Sequence, residues 1–257
     1  MTRLPRPAAD RAGVEFWLET HLGRLFDGTA VGSPSFRGGQ RAADAALARF
    51  DVAGYAARRN EVLPPHRRGA SRLSPYIRHG LLRLDDVWDA VAGGPGNDVR
   101  KFRDELLWQE YARHWYARLG PATASPVRRA PREVAPGDGW DRTLPCLDTV
   151  VDELETDGWL VNQTRMWLAS QWTVRNQVGW LHGQERMYRE LLDGSRAANL
   201  LGWQWTVGAG TGKPYGFARW QVQKRAPELC SRCPLKNNCP IEHFPDEMQL
   251  ENAPFES

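Results

Sequence analysis

Two stretches decide how this chain is interpreted: GWLVNQTRM at residues 158–166 and DGSRAANLLGWQW at residues 193–205, with Trp180 between them. On a helix that begins near residue 161, Asn162 and Arg165 share one face. A guanidinium and an amide on one face suit a flat heteroaromatic ring that carries alternating hydrogen-bond donors and acceptors. The two stretches therefore predict helices that line a binding cavity for such a ring.

Helical spacing of apolar residues continues through the rest of the chain. It marks the segments 15–26, 40–50, 82–93, 101–119, 146–158, 161–181 and 184–192. The segment 146–158 carries one apolar stripe, formed by Leu147, Val150, Val151 and Leu154. Gly158 follows this stripe as a C-terminal cap. Because no alternating strand pattern and no βαβ unit is recognisable, the prediction is an all-α fold.

Composition sets the broad class of the protein. The chain has 257 residues, of which 41% are hydrophobic and 25% charged, as expected for a soluble domain with a sizeable core. No apolar run approaches the ~20 residues of a membrane span, and no signal core is present, so a cytoplasmic protein without membrane contact is expected. The net charge is +3 and most basic residues are Arg, which permits nucleic acid as a partner. Coding bias explains the arginines equally well.

The motifs resemble those of the photolyase/cryptochrome family, where Gly-Trp-x-x-Asn-x-x-Arg-Met, Asp-Gly-x-x-x-x-Asn and Gly-Trp-Gln-Trp follow in this order. The resemblance implies the family's helical FAD-binding domain without its N-terminal α/β antenna domain. It predicts an N-terminal helix and loop (1–39), a helical FAD-binding domain (40–225), and a Cys-rich segment with a loosely packed acidic tail (226–257).

The resemblance also implies which residues bind FAD in a U-shaped conformation. They are Tyr55, Ser71, Leu73, Ser74, Gln109, Asn162, Arg165, Asp193, Ser195 and Asn199. Ser71 and Ser74 are expected at the diphosphate, and Arg165 and Asp193 at the flavin ring, with Asn199 at its reactive nitrogen. Three positions depart from the family pattern: Ala70 replaces a Thr, Gln109 replaces an Arg, and Ser195 replaces an Asp.

Catalytic roles follow from the same resemblance. The residues implied are Glu105, Trp108, Asn199, Trp180, Trp203 and Trp205. Glu105, Trp108 and Trp205 correspond to the substrate cavity, where Trp205 would pack on a flipped-out lesion. Trp203 and Trp180 correspond to the inner members of a Trp chain that reduces photoexcited flavin, and Trp140 is a candidate for the outer member. Judged as single residues, these tryptophans are equally compatible with purely structural core positions.

The four cysteines, Cys146, Cys230, Cys233 and Cys239, predict a bound metal or cluster. Three of them fall in CSRCPLKNNCP, a spacing that favours cluster ligation over a disulfide in a cytosolic chain. With Cys146 as fourth ligand, as the resemblance to iron-sulfur bacterial cryptochromes and photolyases implies, the site is a [4Fe-4S] cluster. With His243 instead, it is a structural zinc site. Free thiols are the third interpretation.

The sequence leaves three functions open. The first is a light-driven flavoprotein that repairs pyrimidine lesions in damaged DNA as a photolyase-type lyase. The second is a cryptochrome-like light sensor or redox flavoprotein without repair activity, and the third is a structural or DNA-binding relative without flavin. An antenna or electron-donor protein is a further candidate partner. GAGTGKP at 208–214 lacks the first glycine and the hydroxyl residue of a phosphate loop, so a nucleotide-triphosphatase is not indicated.

Overall fold

Helices make up most of the computed structural model, which describes residues 3–131, 137, 139–245 and 250–252. They are α1 (Arg11–Leu22), α2 (Gln40–Arg49), α3 (Tyr55–Arg58), α4 (Ser74–Arg78), α5 (Leu84–Ala90), α6 (Gly96–Leu119), α7 (Pro145–Asp157), α8 (Asn162–Ser170), α9 (Trp180–Glu190), α10 (Arg196–Thr206), α11 (Arg219–Arg225) and α12 (Pro227–Ser231). The all-α prediction is confirmed. None of the helices in the described ranges is long and apolar enough to cross a membrane.

The chain divides into two compact units, Met1–Arg37 and Gly38–Ser257. In the first unit, Asp10 caps α1 by accepting a hydrogen bond of 2.8 Å from the Gly13 amide. No residue of α1 is buried. The helix is therefore held by local capping and polar contacts rather than by a core of its own.

The core of the second unit is built around α7 and α8. The stripe predicted on α7 is buried: Leu147, Val150, Val151 and Leu154. The helix ends at Gly158, whose φ of 66° lies in the left-handed region, as predicted for its C-cap. Helix α10 packs on α6, α8 and α9, and α3 packs on α6. These helices are the ones that carry the motif residues.

The prediction of one helix over 161–181 is wrong beyond residue 170. Helix α8 ends at Ser170 and runs into a π-helical turn, Gln171–Arg175. Gln177 then takes a left-handed φ of 52°, and α9 begins at Trp180 rather than at residue 184. A π turn keeps apolar residues on nearly the same face, so helical periodicity alone does not reveal it.

A small antiparallel sheet corrects the expectation of no strands. Strand β1 (Arg129–Pro131) pairs with β2 (Leu250–Asn252), which brings part of the acidic tail against the body of the second unit. Three-residue strands are too short to show an alternating pattern. Residues 246–249 and 253–257 of the predicted loose tail lie outside the described residues.

Candidate functional site

A cavity of about 570 Å³ opens between α6, α8, α10 and the segment that contains α3 and α4. Most of the predicted site residues line it: Tyr55, Ser71, Ser74, Glu105, Trp108, Gln109, Asn162, Arg165, Asp193, Ser195 and Trp205. The fold thus brings together residues that lie up to 150 positions apart in the chain. Among the described residues, Leu73, Asn199, Trp180 and Trp203 are not part of this lining.

An ion pair between a partly exposed arginine and a buried aspartate forms one wall of the cavity. Arg165 Nη2 donates to Asp193 Oδ2 at 2.7 Å, and Arg165 Nε and Nη2 also donate to the Leu160 carbonyl at 3.1 and 3.0 Å. The Asp193 side chain is only 4% exposed, and its Oδ1 has no hydrogen-bond donor among the described residues. Since a buried carboxylate oxygen is costly to leave unpaired, this wall fits a ligand that presents an N–H group.

The wall formed by α4 and the turn before it is cationic. Arg72 takes a left-handed φ of 58°, unusual for a residue with a side chain, and its guanidinium lies 4.9 Å from the Trp159 ring centroid. Burial lowers the pKa of Arg72. Trp159 Nε1 donates to Ser74 Oγ at 3.0 Å, while Ser71 Oγ accepts from the Leu73 amide at 3.3 Å. Leu73 itself is fully buried beneath this turn.

Charge in the cavity favours an anion. Five arginines line it (Arg59, Arg72, Arg78, Arg113 and Arg165), against two carboxylates, Glu105 and Asp193. Guanidinium groups bind phosphate oxygens through paired N–H donors. The donor set of Ser71, Ser74 and these arginines therefore fits a diphosphate, and the ion-pair wall fits a flat ring with an N–H donor.

Helix α6 supplies a carboxylate that contacts two cations. Glu105 Oε1 accepts from Arg59 Nε at 3.3 Å and pairs with Lys101 Nζ at 3.0 Å. Tyr55 stands beside it with its ring edge-on to Phe102, at 5.0 Å between centroids. Burial raises the pKa of the Tyr55 phenol, and the Glu105 charge raises it further. Neutral phenol and charged carboxylate are thus neighbours on this wall.

Trp205 and Tyr215 form an aromatic edge of the cavity. The Trp205 side chain is half exposed, and its ring lies 5.4 Å from that of Tyr215. Tyr215 Oη accepts hydrogen bonds from Gln163 Nε2 at 2.8 Å and Gln221 Nε2 at 3.0 Å. An exposed indole held against a fixed phenol is suited to stacking on a planar ligand.

Asn199, which the resemblance places at the flavin's reactive nitrogen, is not part of the cavity lining. Its Nδ2 donates to the Gln184 carbonyl at 2.6 Å and to Gln184 Oε1 at 3.1 Å. Its helical neighbours Ala198 and Gly202 do line the cavity. Contact between Asn199 and a bound ring therefore requires this amide to exchange the Gln184 contact for a ligand contact.

Several lining residues were missed at the sequence level: Arg59, Arg72, Arg78, Gln163 and Tyr215. Arg72 stands inside the motif GASRLSPYIRHG at 69–80, but its left-handed backbone gives no sequence signal. Tyr215 follows a Gly-rich turn that carries no periodicity. The proline before it marks only a loop.

The four cysteines surround a second, small cavity between the start of α7 and helices α11 and α12. Cys146, Cys230, Cys233 and Cys239 are all free thiols and all line it, together with Arg219. His243 is not part of its lining. Burial raises the pKa of Cys146 to about 12, and the neighbouring Cys230 and Cys239 contribute to the increase. No group of three or more potential ligands in the described residues has an arrangement that holds a metal ion.

Comparison with known proteins relates part of the chain to one family. Residues 102–225 match the family model for the FAD-binding domain of DNA photolyase. A deoxyribodipyrimidine photo-lyase of Thermus thermophilus is 37% identical over 157 residues, which cover 55% of this chain and 36% of that protein. One from a Synechococcus species is 28% identical over 192 residues, covering 67% and 39%. The chain thus spans less than half the length of these relatives.

Solved structures share the fold. A bacterial class III photolyase from Agrobacterium tumefaciens superposes with a TM-score of 0.64 at 24% identity, over 74% of this chain and 43% of that chain. A cryptochrome from a Synechocystis species superposes with a TM-score of 0.65 at 20% identity, over 77% and 45%. At these identities the likeness shows a shared fold.

Proposed function

We propose that the chain binds FAD and uses light to drive electron transfer, because its residues 102–225 match the family model for the FAD-binding domain of DNA photolyase. The observation that carries this proposal is the ion pair between Arg165 and the buried Asp193, because Asp193 Oδ1 has no hydrogen-bond donor among the described residues and can accept from an N–H group. When bound, the flavin supplies light absorption and one-electron chemistry. The protein's residues bind and orient it.

Each wall of the cavity has a role in this proposal. Asp193 Oδ1 accepts from the flavin ring, while Arg165 balances the carboxylate and places positive charge beside the ring. Ser71 and Ser74, with the nearby arginines, hold the diphosphate. Asn162, Gln109, Tyr55 and Ser195 complete the cradle, and Asn199 turns from Gln184 towards the ring's reactive nitrogen.

Repair of a pyrimidine lesion in DNA is the activity that we propose first. Support comes from the aromatic edge, because Trp205 is exposed and backed by Tyr215, as a stacking platform for an extruded base requires. Glu105 and Trp108 also line the cavity. In this proposal Glu105 accepts hydrogen bonds from the base. Relatives of the same domain are named deoxyribodipyrimidine photo-lyase.

A non-repair light sensor is the second candidate, and the state of Glu105 favours it. Two cations, Arg59 and Lys101, already engage this carboxylate. A base must displace at least one of them to reach it. Gln109 and Ser195 also favour the light sensor, because each is an uncharged residue at a position where members of the resembled family carry a charged one.

Two measurements test these proposals in order. Purified protein is first examined for flavin absorption bands in the near-ultraviolet and blue, and their absence would rule out both candidates in favour of a flavin-free relative. Reduced, FAD-loaded protein is then irradiated with DNA that contains thymine dimers. Falling lesion content supports repair. Unchanged lesion content under saturating light, in protein shown to hold FAD, supports the sensor.

For the cysteine-lined cavity we propose a [4Fe-4S] cluster held by Cys146, Cys230, Cys233 and Cys239. Support comes from the donor set, because Cys146 lines the same cavity as the three thiols of the segment 230–239. Zinc on the same thiols is the alternative. The His243 version is less favoured, since His243 is outside the lining and Cys146 is inside it.

Anaerobic purification with iron, sulfide and zinc analysis tests this site. Four iron and four sulfide per chain are expected in the native protein, and none in Cys146→Ser. His243→Ala is the matched control and should retain the full content. Zinc lost in His243→Ala but retained in Cys146→Ser would overturn the proposal and establish the Cys₃His site.

A further inference from the structure

A third cavity, the indole cavity, opens beside the π-helical turn that follows α8 and has a volume of about 210 Å³. Its lining shares no residue with that of the large cavity. Two tryptophans, Trp140 and Trp172, and three polar residues, Asp141, Gln171 and Asn176, belong to it. The volume is below the ~300–1,000 Å³ of pockets for drug-sized ligands, so it suits a molecule of about one ring.

Trp140 and Trp172 form the aromatic wall of the indole cavity. Their ring centroids are 5.2 Å apart, and the planes meet at 70°, an edge-to-face contact. Trp140 Nε1 donates to Glu190 Oε2 at 2.8 Å, and Trp172 Nε1 donates to the Gly179 carbonyl at 3.0 Å. Because both N–H groups already have acceptors, the indoles offer a ligand their π systems, which attract cations.

The Gln171 amide leaves an unpaired acceptor at the polar end of the cavity. Gln171 is 7% exposed, and its Nε2 donates to Asp141 Oδ2 at 2.7 Å and to Asn176 Oδ1 at 3.2 Å. An ionised carboxylate only accepts, so Asp141 fixes which end of the amide carries the nitrogen. Gln171 Oε1 is then buried without a donor among the described residues. Since a buried amide oxygen is costly to leave unpaired, the site favours a molecule that donates.

Asp141 adds a negative charge that no neighbouring cation balances. Burial raises the pKa of its carboxyl, but hydrogen bonds from Thr143, Gln171 and Asn176 outweigh burial and hold the pKa below its ordinary value. All three donors are neutral. In the described ranges no lysine or arginine forms an ion pair with Asp141, and its neighbour Arg142 pairs with acidic residues of α7 instead. The carboxylate therefore attracts a cation.

Arg186 lies near the aromatic wall but leaves the charge of Asp141 unbalanced. Its guanidinium is 5.8 Å from the Trp140 ring centroid. Arg186 Nε pairs with Glu190 Oε1 at 3.1 Å, and Arg186 Nη2 lies 4.0 Å from Glu155 Oε1. Arg186 is not part of the cavity lining. Two other carboxylates thus already balance this arginine.

Apolar groups complete the indole cavity. Leu147 and Leu168 are buried and line it. Gly137 packs directly against Trp172, since a Cβ atom added to it would lie 2.9 Å from Trp172 Cζ2. A ring inside the cavity therefore has aromatic and aliphatic neighbours, while a charged group on that ring has the polar end.

We propose that the indole cavity binds a small organic cation that carries N–H groups, such as an amidinium on a single ring. Gln171 Oε1 accepts from one N–H group, Asp141 supplies the opposite charge, and Trp140 and Trp172 supply cation–π contact. An anion would meet none of these conditions. Because the two linings share no residue, the inference goes beyond the flavin proposal and does not depend on it.

Isothermal titration calorimetry with benzamidine tests the site, because benzamidine is a single ring that bears an amidinium. Benzamide is the matched neutral ligand, with the same ring and an N–H group but no charge. We expect benzamidine to bind at least about tenfold more tightly than benzamide, since hydrogen bonds to charged groups contribute more than those between neutral groups. If benzamidine at millimolar concentration gives no heat of binding, the proposal is wrong and water fills the cavity.

Asp141→Asn removes the charge and keeps the size of the side chain. The dissociation constant for benzamidine should rise about tenfold or more, while that for benzamide should change little. Asp148→Asn is the matched control, because Asp148 is a partly exposed carboxylate of α7 outside the cavity lining. It should bind benzamidine as the native protein does. Equal benzamidine affinity in Asp141→Asn and the native protein would overturn the proposal.

Indole N–H signals in nuclear magnetic resonance spectra of the isotope-labelled native protein locate the ligand without any substitution in the site. Benzamidine should shift the signals of Trp140 and Trp172. The signal of Trp205, at the edge of the large cavity, should stay in place. Shifts at Trp205 with none at Trp140 and Trp172 would assign benzamidine to the large cavity and contradict the inference.

Competition with FAD separates this site from the flavin site. Protein saturated with FAD should bind benzamidine with the same dissociation constant as FAD-free protein. Displacement of benzamidine by FAD would show that both occupy the large cavity, and the indole cavity would lose its assignment. If the protein binds benzamidine but no FAD, the flavin proposal is wrong and the present inference stands.

Discussion

Asp193 is the residue whose charge the flavin proposal needs most. Asp193→Asn keeps the size of the side chain but replaces the free carboxylate oxygen and weakens the pair with Arg165. We expect the dissociation constant for FAD to rise about 10- to 100-fold, since a hydrogen bond to a charged group contributes ~1.5–3 kcal/mol. Equilibrium titration followed by flavin fluorescence measures it.

The control for this substitution is Asp85→Asn. Asp85 is an exposed carboxylate paired with Arg83 and lies outside the cavity lining. FAD affinity should be unchanged in this variant. If Asp193→Asn binds FAD as tightly as the native protein does, the Arg165–Asp193 pair is not part of the FAD-binding site.

Tyr55 makes the stability of the fold sensitive to alkaline pH. Burial raises the pKa of its phenol well above the ordinary value of 10.0, so the unfolded state loses the proton first as pH rises. The contribution of Tyr55 to the free energy of unfolding is therefore complete below pH ~10. It declines as the pH rises above the pKa of this phenol in the unfolded chain. Tyr55→Phe should abolish this part of the decline.

Urea unfolding at pH ~8 and at pH ~10.5 measures the effect. Tyr111→Phe removes an exposed phenol from α6 and serves as the control. The native protein and Tyr111→Phe should lose more stability between the two pH values than Tyr55→Phe. A parallel decline in all three proteins would mean that the Tyr55 phenol ionises without a folding cost.

At the level of helices, the sequence predicted what depends on local pattern. The stripe from Leu147 to Leu154 and the cap at Gly158 identify α7 almost to the residue, because burial and a left-handed turn leave local signals. The π turn after Ser170 leaves none. Periodicity averages over several residues, so it does not register one extra residue in a turn.

The residues of the candidate site likewise fall into those that local sequence motifs predict and those that only tertiary packing brings to the cavity. Asp193 and Arg165 could be paired from their motifs, and the 2.7 Å contact fits that expectation. Arg59 and Tyr215 could not be found, since each reaches the cavity through tertiary packing rather than through its neighbours in sequence. The side-chain direction of Asn199 is likewise set by Gln184 on another helix.

Helix α10 offers a substitution that should stabilise the fold and weaken binding. Gly202 lies inside this helix and lines the cavity, and a Cβ atom added to it would have no neighbouring atom within 4 Å. Gly202→Ala should raise the free energy of unfolding by ~0.5–1 kcal/mol, because alanine restricts the unfolded chain. The added methyl group occupies ligand space, so FAD affinity should fall.

Gly96→Ala gives the matched comparison. Gly96 begins α6, also has open space around it, and lies outside the cavity lining. Stability should change little or increase, and FAD affinity should stay as in the native protein. If Gly202→Ala binds FAD as tightly as Gly96→Ala, the ring does not approach this face of α10.

On the scale of the whole molecule, the cavity belongs to the second compact unit alone. Its lining and the main core cluster all fall after Gly38. A chain that begins at Gly38 should therefore fold cooperatively and bind FAD with the native dissociation constant. Circular dichroism and FAD titration check this. Loss of FAD binding in a folded protein would mean that the first 37 residues contribute to the site.

Ligand binding should also stabilise the folded second unit as a whole, because the walls of the cavity come from several of its helices, α3, α4, α6, α8 and α10. A ligand that binds only the folded state stabilises it by ~2.7 kcal/mol at a free concentration of about 100 times its dissociation constant. We expect FAD to raise the midpoint of urea unfolding accordingly, in one cooperative transition. Asp193→Asn, at the same FAD concentration, should show a smaller shift by the amount of its lost affinity. A midpoint that does not respond to FAD in the native protein would contradict specific binding in this cavity.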